Sequence, residues 1–407
     1  MAYAVGIVLF ALGILISVAL HEAGHMWPAR AFGMKVTRYF IGFGPTLFAF
    51  RRKGVEYGLK AIPAGAFVKI VGMTPQDDDV EPGDEHRAMW RYPVWKRTIV
   101  LSGGSIMHFI IGFLLLWITA SFVGMPNPAL ADPQPAVITV QPCVIADYQR
   151  VECSDSDPVS PAKKAGLQDG DKVVKVEGNT VATWEELLLA LRSTRPGAAT
   201  LLVERNGQLL PPIQVDLVEV DRPETDGTLK KRAALGVGFK LTIPEEVTYG
   251  PVDGFGEAIG FTGDAFVGTW QSMKKIPEKL PKLWHALMGE ERDPETPISV
   301  VGASRLGGET VERDRWSLFL LILATLNFFI GVFNLLPLLP LDGGHIAIIW
   351  FEKVRAWVYG WFKKPDPGRV DYFKLMPLTY VVILIFGGFT LLTVAADIVN
   401  PVTIFGR

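Results

Sequence analysis

Polar and apolar positions are spread very unevenly along the 407 residues. Four runs carry no Asp, Glu, Lys or Arg: Met1–Glu22 (broken only at its last residue), Thr98–Met125, Trp316–Leu341 and Leu375–Ala396. Roughly 20 apolar residues cross a hydrocarbon core. The pattern therefore predicts a polytopic α-helical membrane protein with four transmembrane helices. The first run lacks a basic n-region and an A-x-A cleavage pattern, so it reads as a retained span.

Between the runs the periodicity changes. Residues 36–72 hold short β-prone stretches (Val36–Phe40, Leu47–Phe50, Val55–Leu59 and Phe67–Val71) parted by Gly, Pro and basic turns. They predict a small antiparallel β-loop whose aromatic residues suit a membrane surface. Residues 73–87 are acidic and turn-rich and read as mobile. A Pro-rich linker, Pro126–Pro135, leads into a soluble α+β domain. There a short helix ends at Gly166, a DGD turn follows, Lys172–Val176 alternates as a strand, and Gly178-Asn179 predicts a hairpin turn. Thr183 caps a helix with Glu186 three residues on, and two strands flank Asn206-Gly207. Phe255, Ile259, Phe266, Trp270 and Met273 then share one helical face, interrupted by Thr262. They predict an amphipathic helix on the outer membrane surface or against the spans.

The plan that results is a first span at 1–27, a segment 28–97 holding the β-loop, and a second span at 98–125. Linker and soluble domain occupy 126–245, the amphipathic segment 246–315, the third span 316–345, a loop 346–374, and the fourth span with its tail 375–407.

Composition adds direction. Hydrophobic residues make up 49% and charged residues 20%, and the formal net charge is −2, which gives no footprint for nucleic acid. Pro28–Arg97 carries 12 basic and 7 acidic residues, and Gly343–Lys374 carries 6 and 3. Pro126–Arg315 carries 21 and 29. By the positive-inside tendency the two short basic segments are cytoplasmic, and the long segment and both termini are outside. Cys143 and Cys153 both fall in the outer segment. A disulfide between them fits an oxidising compartment, and two free thiols would give the same sequence.

Candidate chemistry sits where charge is most costly. His21-Glu22-Ala23-Gly24-His25 is H-E-x-x-H at the foot of the first run. On a helix both imidazoles share one face and can reach one metal ion, with the glutamate as general base of a zinc hydrolase. A buried polar cluster without metal is the plainer alternative. An acidic or basic side chain at mid-membrane costs roughly 2.5–3.5 kcal/mol, which disfavours that alternative. A catalytic zinc usually has a third protein ligand. Phe333–His345, FNLLPLLPLDGGH, places Asp342 at the end of an uncharged run, and Pro337 and Pro340 forbid a regular helix before it. Asp342 is thus the candidate third ligand, helix capping its plainer role. His345 reads as a neighbour of the site or a surface residue.

HEAGH at 21–25, N-x-x-P-x-x-P-L-D-G at Asn334–Gly343, and the inserted A-G-L-x-x-G-D domain resemble the site-2 protease family of intramembrane zinc metalloproteases. The order of elements is similar over essentially the whole chain. The layout is most similar to the actinobacterial branch that has a single circularly permuted PDZ domain and cleaves anti-sigma factors. The resemblance implies a bacterial plasma-membrane enzyme with Zn2+ on His21, His25 and Asp342 and with Glu22 as base. It implies that Asn334 holds the substrate backbone or oxyanion, and that Gly42-Phe43-Gly44 belongs to a β-loop presenting an edge strand to substrate. Implied partners are single-span membrane proteins such as anti-sigma factors, with a peptide or trimmed C-terminus at the PDZ domain. One departure stands out. Where relatives carry a G-P-x-x-N type motif in the second span, this chain has GGSIMHF, Gly103–Phe109. Gly104 replaces proline, and His108 reads as a local polar substitute, with an extra metal contact as the alternative. A rival class is a non-catalytic membrane scaffold or chaperone with a peptide-binding PDZ domain, against which the intact HExxH and Asp342 argue.

Overall fold

The computed structural model describes residues 1–73, 80, 83–147, 150, 152–223 and 228–405. Of the acidic stretch expected to be mobile, 74–79, 81 and 82 lie outside the described residues. The chain forms two compact bodies, Met1–Met125 with Thr248–Arg407, and Pro126–Val247. Helices are α1 (Ala2–Ala31), α2 (Val94–Ile118), α3 (Pro161–Lys164), α4 (Trp184–Ser193), α5 (Gly250–Leu287), α6 (Val300–Glu312), α7 (Trp316–Asn334), α8 (Asp342–Trp361) and α9 (Met376–Val399).

Among the described residues, four helical stretches are long and apolar enough to cross a membrane: Ala2–Ala31, Val94–Val123, Trp316–Asn334 and Tyr372–Val399. The third is shorter than the apolar run that predicted it. α7 stops at Asn334, and α8 starts at Asp342. Pro337 and Pro340 lie in the break, where proline removes a backbone donor and clashes with the preceding turn.

Small residues let the helices meet. Pro28, inside α1, has no N–H for the Gly24 carbonyl. α2 passes close to that carbonyl, since a Cβ on Gly103 would lie 2.0 Å from it. A Cβ on Gly6 would lie 2.7 Å from the Gly307 carbonyl of α6. Without a hydrophobic drive between helices in lipid, such close backbone approach supplies the packing. The amphipathic face of α5 divides its contacts. Phe255 meets Phe113 at 5.3 Å between ring centroids, and Phe266 meets Phe109 and Phe328 at 4.9 and 5.2 Å. Ile259 and Trp270 are exposed.

β1 (Val36–Arg52) and β2 (Val55–Ile70) are long and sharply bent. Residues 36–41 pair on one side with 66–70 (Val36↔Ile70, Ile41↔Ala66) and on the other with 56–59 (Arg38↔Glu56, Ile41↔Leu59). Residues 46–52 pair with 55–60. The two strands thus make a four-segment sheet in the order 46–52, 55–60, 36–43, 62–70.

In the second body one sheet runs Leu229–Ala234, Ile213–Pro223, Gly197–Arg205, Lys172–Val176, Asn179–Thr180, with Gln208–Leu209 hairpinned onto Gly197–Arg205. Val237–Phe239 pairs separately with Ile138–Val140. Ile138, Val173, Leu187, Leu201, Val203 and Leu235 form the buried core. The first hairpin turns one residue earlier than expected. Glu177 and Gly178 take the positive φ values (46° and 79°), and Asn179 already pairs with Val176. A type I′ two-residue turn needs both central residues in that region, and glycine serves well at the second. Thr183 caps α4 by accepting the Glu186 N–H at 3.2 Å. Arg205 grips Asp171 of the DGD turn with two bonds, at 2.7 and 2.9 Å. Cys143 and Cys153 are joined by a disulfide.

Candidate metal centre

His21, Glu22 and His25 lie on the last turns of α1, and all but Glu22 are buried. His25 Nδ1 donates to the Val100 carbonyl of α2 at 2.7 Å. That bond places the proton on Nδ1 and leaves Nε2 as the lone-pair nitrogen. His25 Nε2 lies 3.1 Å from His21 Nε2 and 3.3 Å from Asp342 Oδ2, and His21 Nε2 lies 3.4 Å from the same oxygen. A tetrahedral ion with ligands at about 2.0–2.1 Å needs its donors about 3.3–3.4 Å apart. The three atoms therefore already stand close to the edges of such a tetrahedron, and two imidazoles with one carboxylate form a zinc donor set.

Each donor is aimed by local structure. The one-turn spacing stacks the two imidazoles on one face of α1. Asp342 opens α8 but makes no side-chain cap of its own helix, so its carboxylate is available to the histidines. The two glycines after it are demanded by the break: a Cβ would lie 2.2 Å from the Leu335 carbonyl at Gly343 and 2.6 Å from the Leu338 carbonyl carbon at Gly344. Across from them, a Cβ on Gly104 would lie 2.4 Å from His21 Cε1 and 2.5 Å from His25 Nε2. The missing side chain is what allows the imidazoles to lie against α2.

Glu22 points to a different neighbour. Its Oε2 accepts the Val68 N–H at 2.9 Å, from the outer segment 62–70 of the sheet. A cavity of about 180 Å³ lies among His21, Glu22, His25 and Asp342, walled by Val68, Ile70, Met73, Val100 and Leu101. The site thus has three convergent donors, a carboxylate beside them, and an apolar wall with a backbone edge.

The structure does not bring every candidate to this point. Asn334 is the half-buried last residue of α7, with no hydrogen bond to the trio. Gly42 and Gly44 have φ of 88° and 81° and bend β1 between its two halves. Phe43 faces Ile62 across the sheet. The segment that meets Glu22 is 62–70 rather than 42–44: 38–41 is paired on both sides, Phe43 pairs with Ile62, and 62–70 forms the outer edge of the sheet. His345 Nδ1 lies 3.4 Å from the Tyr372 hydroxyl. Three participants escaped the sequence reading: Val68, Gly104 in its role as a cradle, and Asn327, which bonds His108. Asn327 carried a signal, being an amide in the middle of an apolar run. The other two carried none.

Comparison with known proteins agrees over the whole chain. A model described as Peptidase family M50 matches residues 9–359. The zinc metalloprotease Rip1 of Mycolicibacterium smegmatis is 44% identical over 417 positions, covering 100% of both chains. Its Mycobacterium tuberculosis namesake is 43% identical over 410 positions, again covering 100% of both. The regulator of sigma-E protease RseP of Escherichia coli is 28% identical over 429 positions, covering 85% of this chain and 90% of its own.

Proposed function

The chain belongs to peptidase family M50 and is a zinc metalloprotease, and on that premise we propose that it cuts within the transmembrane segment of single-span substrates such as anti-sigma factors. The observation that carries this reading is the convergence of His21 Nε2, His25 Nε2 and Asp342 Oδ2 at 3.1–3.4 Å, beside Glu22 and on an apolar spanning helix. His21, His25 and Asp342 hold the zinc. The ion supplies Lewis acidity, which makes water acidic enough to be deprotonated near neutral pH and polarises the scissile carbonyl. Glu22 accepts the proton of the attacking water and passes it to the leaving amine. Asn334, at the end of α7, steadies the substrate backbone or the developing oxyanion.

A helical substrate hides its carbonyls in its own hydrogen bonds, so it must be unwound first. Segment 62–70 offers a sheet edge beside Glu22, and strand addition there replaces the lost bonds. Because Glu22 holds the Val68 N–H, an incoming strand exchanges that bond for its own. The exposed Leu47, Phe48 and Phe50 suit a β-loop set against lipid.

The body Pro126–Val247 acts as an extracytoplasmic PDZ-type domain. Its groove of about 930 Å³ runs beside α4 and the strand Leu229–Ala234 and admits a peptide or a trimmed C-terminus. The excess of basic residues in 28–97 and 346–374 supports a cytoplasmic place for both, with the termini outside.

The test is cleavage of a single-span reporter in membranes by wild type and by Glu22→Gln, each assayed for zinc. Cleavage by wild type only, with zinc retained in both, is expected. Equal cleavage by both would overturn the assignment.

A further inference from the structure

A third imidazole lies beside the trio and outside it. His108 of α2 is 1% exposed, and its ring centroid is 5.0 Å from that of His21. It does not belong to the cluster whose donor atoms all lie within 4.8 Å of one another, which comprises His21, His25 and Asp342. Its protonation is nevertheless fixed by what it touches. Asn327 Nδ2 donates to the Leu323 carbonyl at 2.8 Å, which sets the amide so that Oδ1 is an acceptor. His108 Nδ1 lies 2.8 Å from that Oδ1 and therefore carries the proton. In the neutral ring Nε2 then keeps its lone pair.

His21 has the matching deficit. Its Nε2 faces His25 and Asp342, so as a ligand through that atom it carries its proton on Nδ1. His21 Nδ1 is buried without a hydrogen-bond partner. His25 has no such deficit, because its Nδ1 is satisfied by Val100. A metal-bound histidine almost always donates its other N–H to an acceptor that fixes the tautomer and the ring. Two imidazoles bonded nitrogen to nitrogen at the usual distance have centroids about 5 Å apart, the separation that His21 and His108 show.

We propose that His108 is the positioning partner of the zinc ligand His21. The chain Asn327 Oδ1···H–Nδ1 His108 Nε2···H–Nδ1 His21, closed directly or through one water, holds the His21 ring in its ligating orientation. The inference rests on the zinc reading above. It assigns to His108 a role in metal retention, with no contact to the ion.

The test uses the full chain purified in detergent, with zinc affinity measured by competition against a chromophoric chelator. Wild type must first contain zinc; its absence there would remove the reading on which the inference rests. His108→Leu, close in size but unable to accept, weakens zinc by about 10–100-fold, the range typical of such partners. His108→Gln, whose amide accepts from His21 and donates to Asn327, restores most of the affinity. Asn327→Leu, which leaves His108 free to change tautomer, falls between wild type and His108→Leu. With cobalt in place of zinc, the visible ligand-field bands of His108→Leu shift, whereas those of His108→Gln follow wild type. Wild-type affinity in a folded His108→Leu would overturn the proposal. So would a Gln variant as weak as the Leu variant, since packing alone would then explain both. If neither His108 variant folds, unchanged affinity in Asn327→Leu overturns it.

Discussion

Gly104→Ala tests whether the missing side chain of α2 is what permits the metal site. The added methyl would sit 2.4 Å from His21 Cε1 and 2.5 Å from His25 Nε2, whereas carbon atoms rest about 3.5–4.0 Å apart. Both rings must therefore retreat by about 1 Å, about twice the roughly 0.5 Å within which such a constellation works. The fold suffers far less. Overpacking costs about 1–3 kcal/mol, and alanine regains up to about 1 kcal/mol of helix propensity over glycine. A net loss of about 0–2 kcal/mol leaves a protein of ordinary stability folded. The expected variant is folded and loses at least about tenfold in zinc affinity, because both ligands are moved. Gly112→Ala is the control. Its methyl would lie 2.7 Å from Phe328 Cε2, a similar intrusion between helices that touches no ligand, so zinc should stay. The assays are zinc content, chelator competition and thermal melting of the detergent-solubilised chain. Wild-type zinc affinity in Gly104→Ala would refute the reasoning.

Three further outcomes are expected. Asp342→Asn removes the anionic donor while keeping its shape, so zinc content after mild chelation should fall well below wild type; equal content would sink the third ligand. Cys143→Ser with Cys153→Ser opens a loop of sequence separation 10, and chain entropy puts the loss at about 3 kcal/mol in the Pro126–Val247 body, read by denaturant titration of Trp184 fluorescence in an otherwise Trp-free chain. Asp171 sets an acid limit on the same body. Burial pushes its carboxyl up, but the Arg205 guanidinium and the Gln168 N–H hold it below its ordinary value. The folded pKa is depressed, so the stabilisation is complete above the usual carboxylate value of about 3.9 and fades as pH falls through the lower folded one. The melting difference between wild type and Asp171→Asn should therefore be full at neutral pH and narrow below pH of about 4; a difference constant with pH would contradict it.

Two kinds of feature were legible in the residues. The first depends on local chemistry. Charge-free runs of spanning length mark four apolar helices, one-turn spacing puts His21 and His25 on one face, and Pro337 with Pro340 announces the break before Asp342. The turns at Asn206-Gly207 and the cap at Thr183 follow from backbone preferences of a few residues. Family membership was legible for the same reason, since its motifs are short and contiguous. Even here local rules slipped by a residue at Glu177-Gly178, because a glycine fits either central place of a tight turn.

The second kind was decided only by the tertiary structure. Val68 donating to Glu22, Gly104 making room for two rings, and Asn327 setting the proton of His108 are meetings between elements 46 to 219 residues apart. The sequence by itself determined the candidate ligands His21, His25 and Asp342, because residue identity and helical spacing are local. Which backbone edge faces the glutamate, and which glycine and which amide support the histidines, depends on how rigid helices and a bent sheet fit together. A backbone N–H looks the same in every strand, and an absent Cβ matters only once something lies against it.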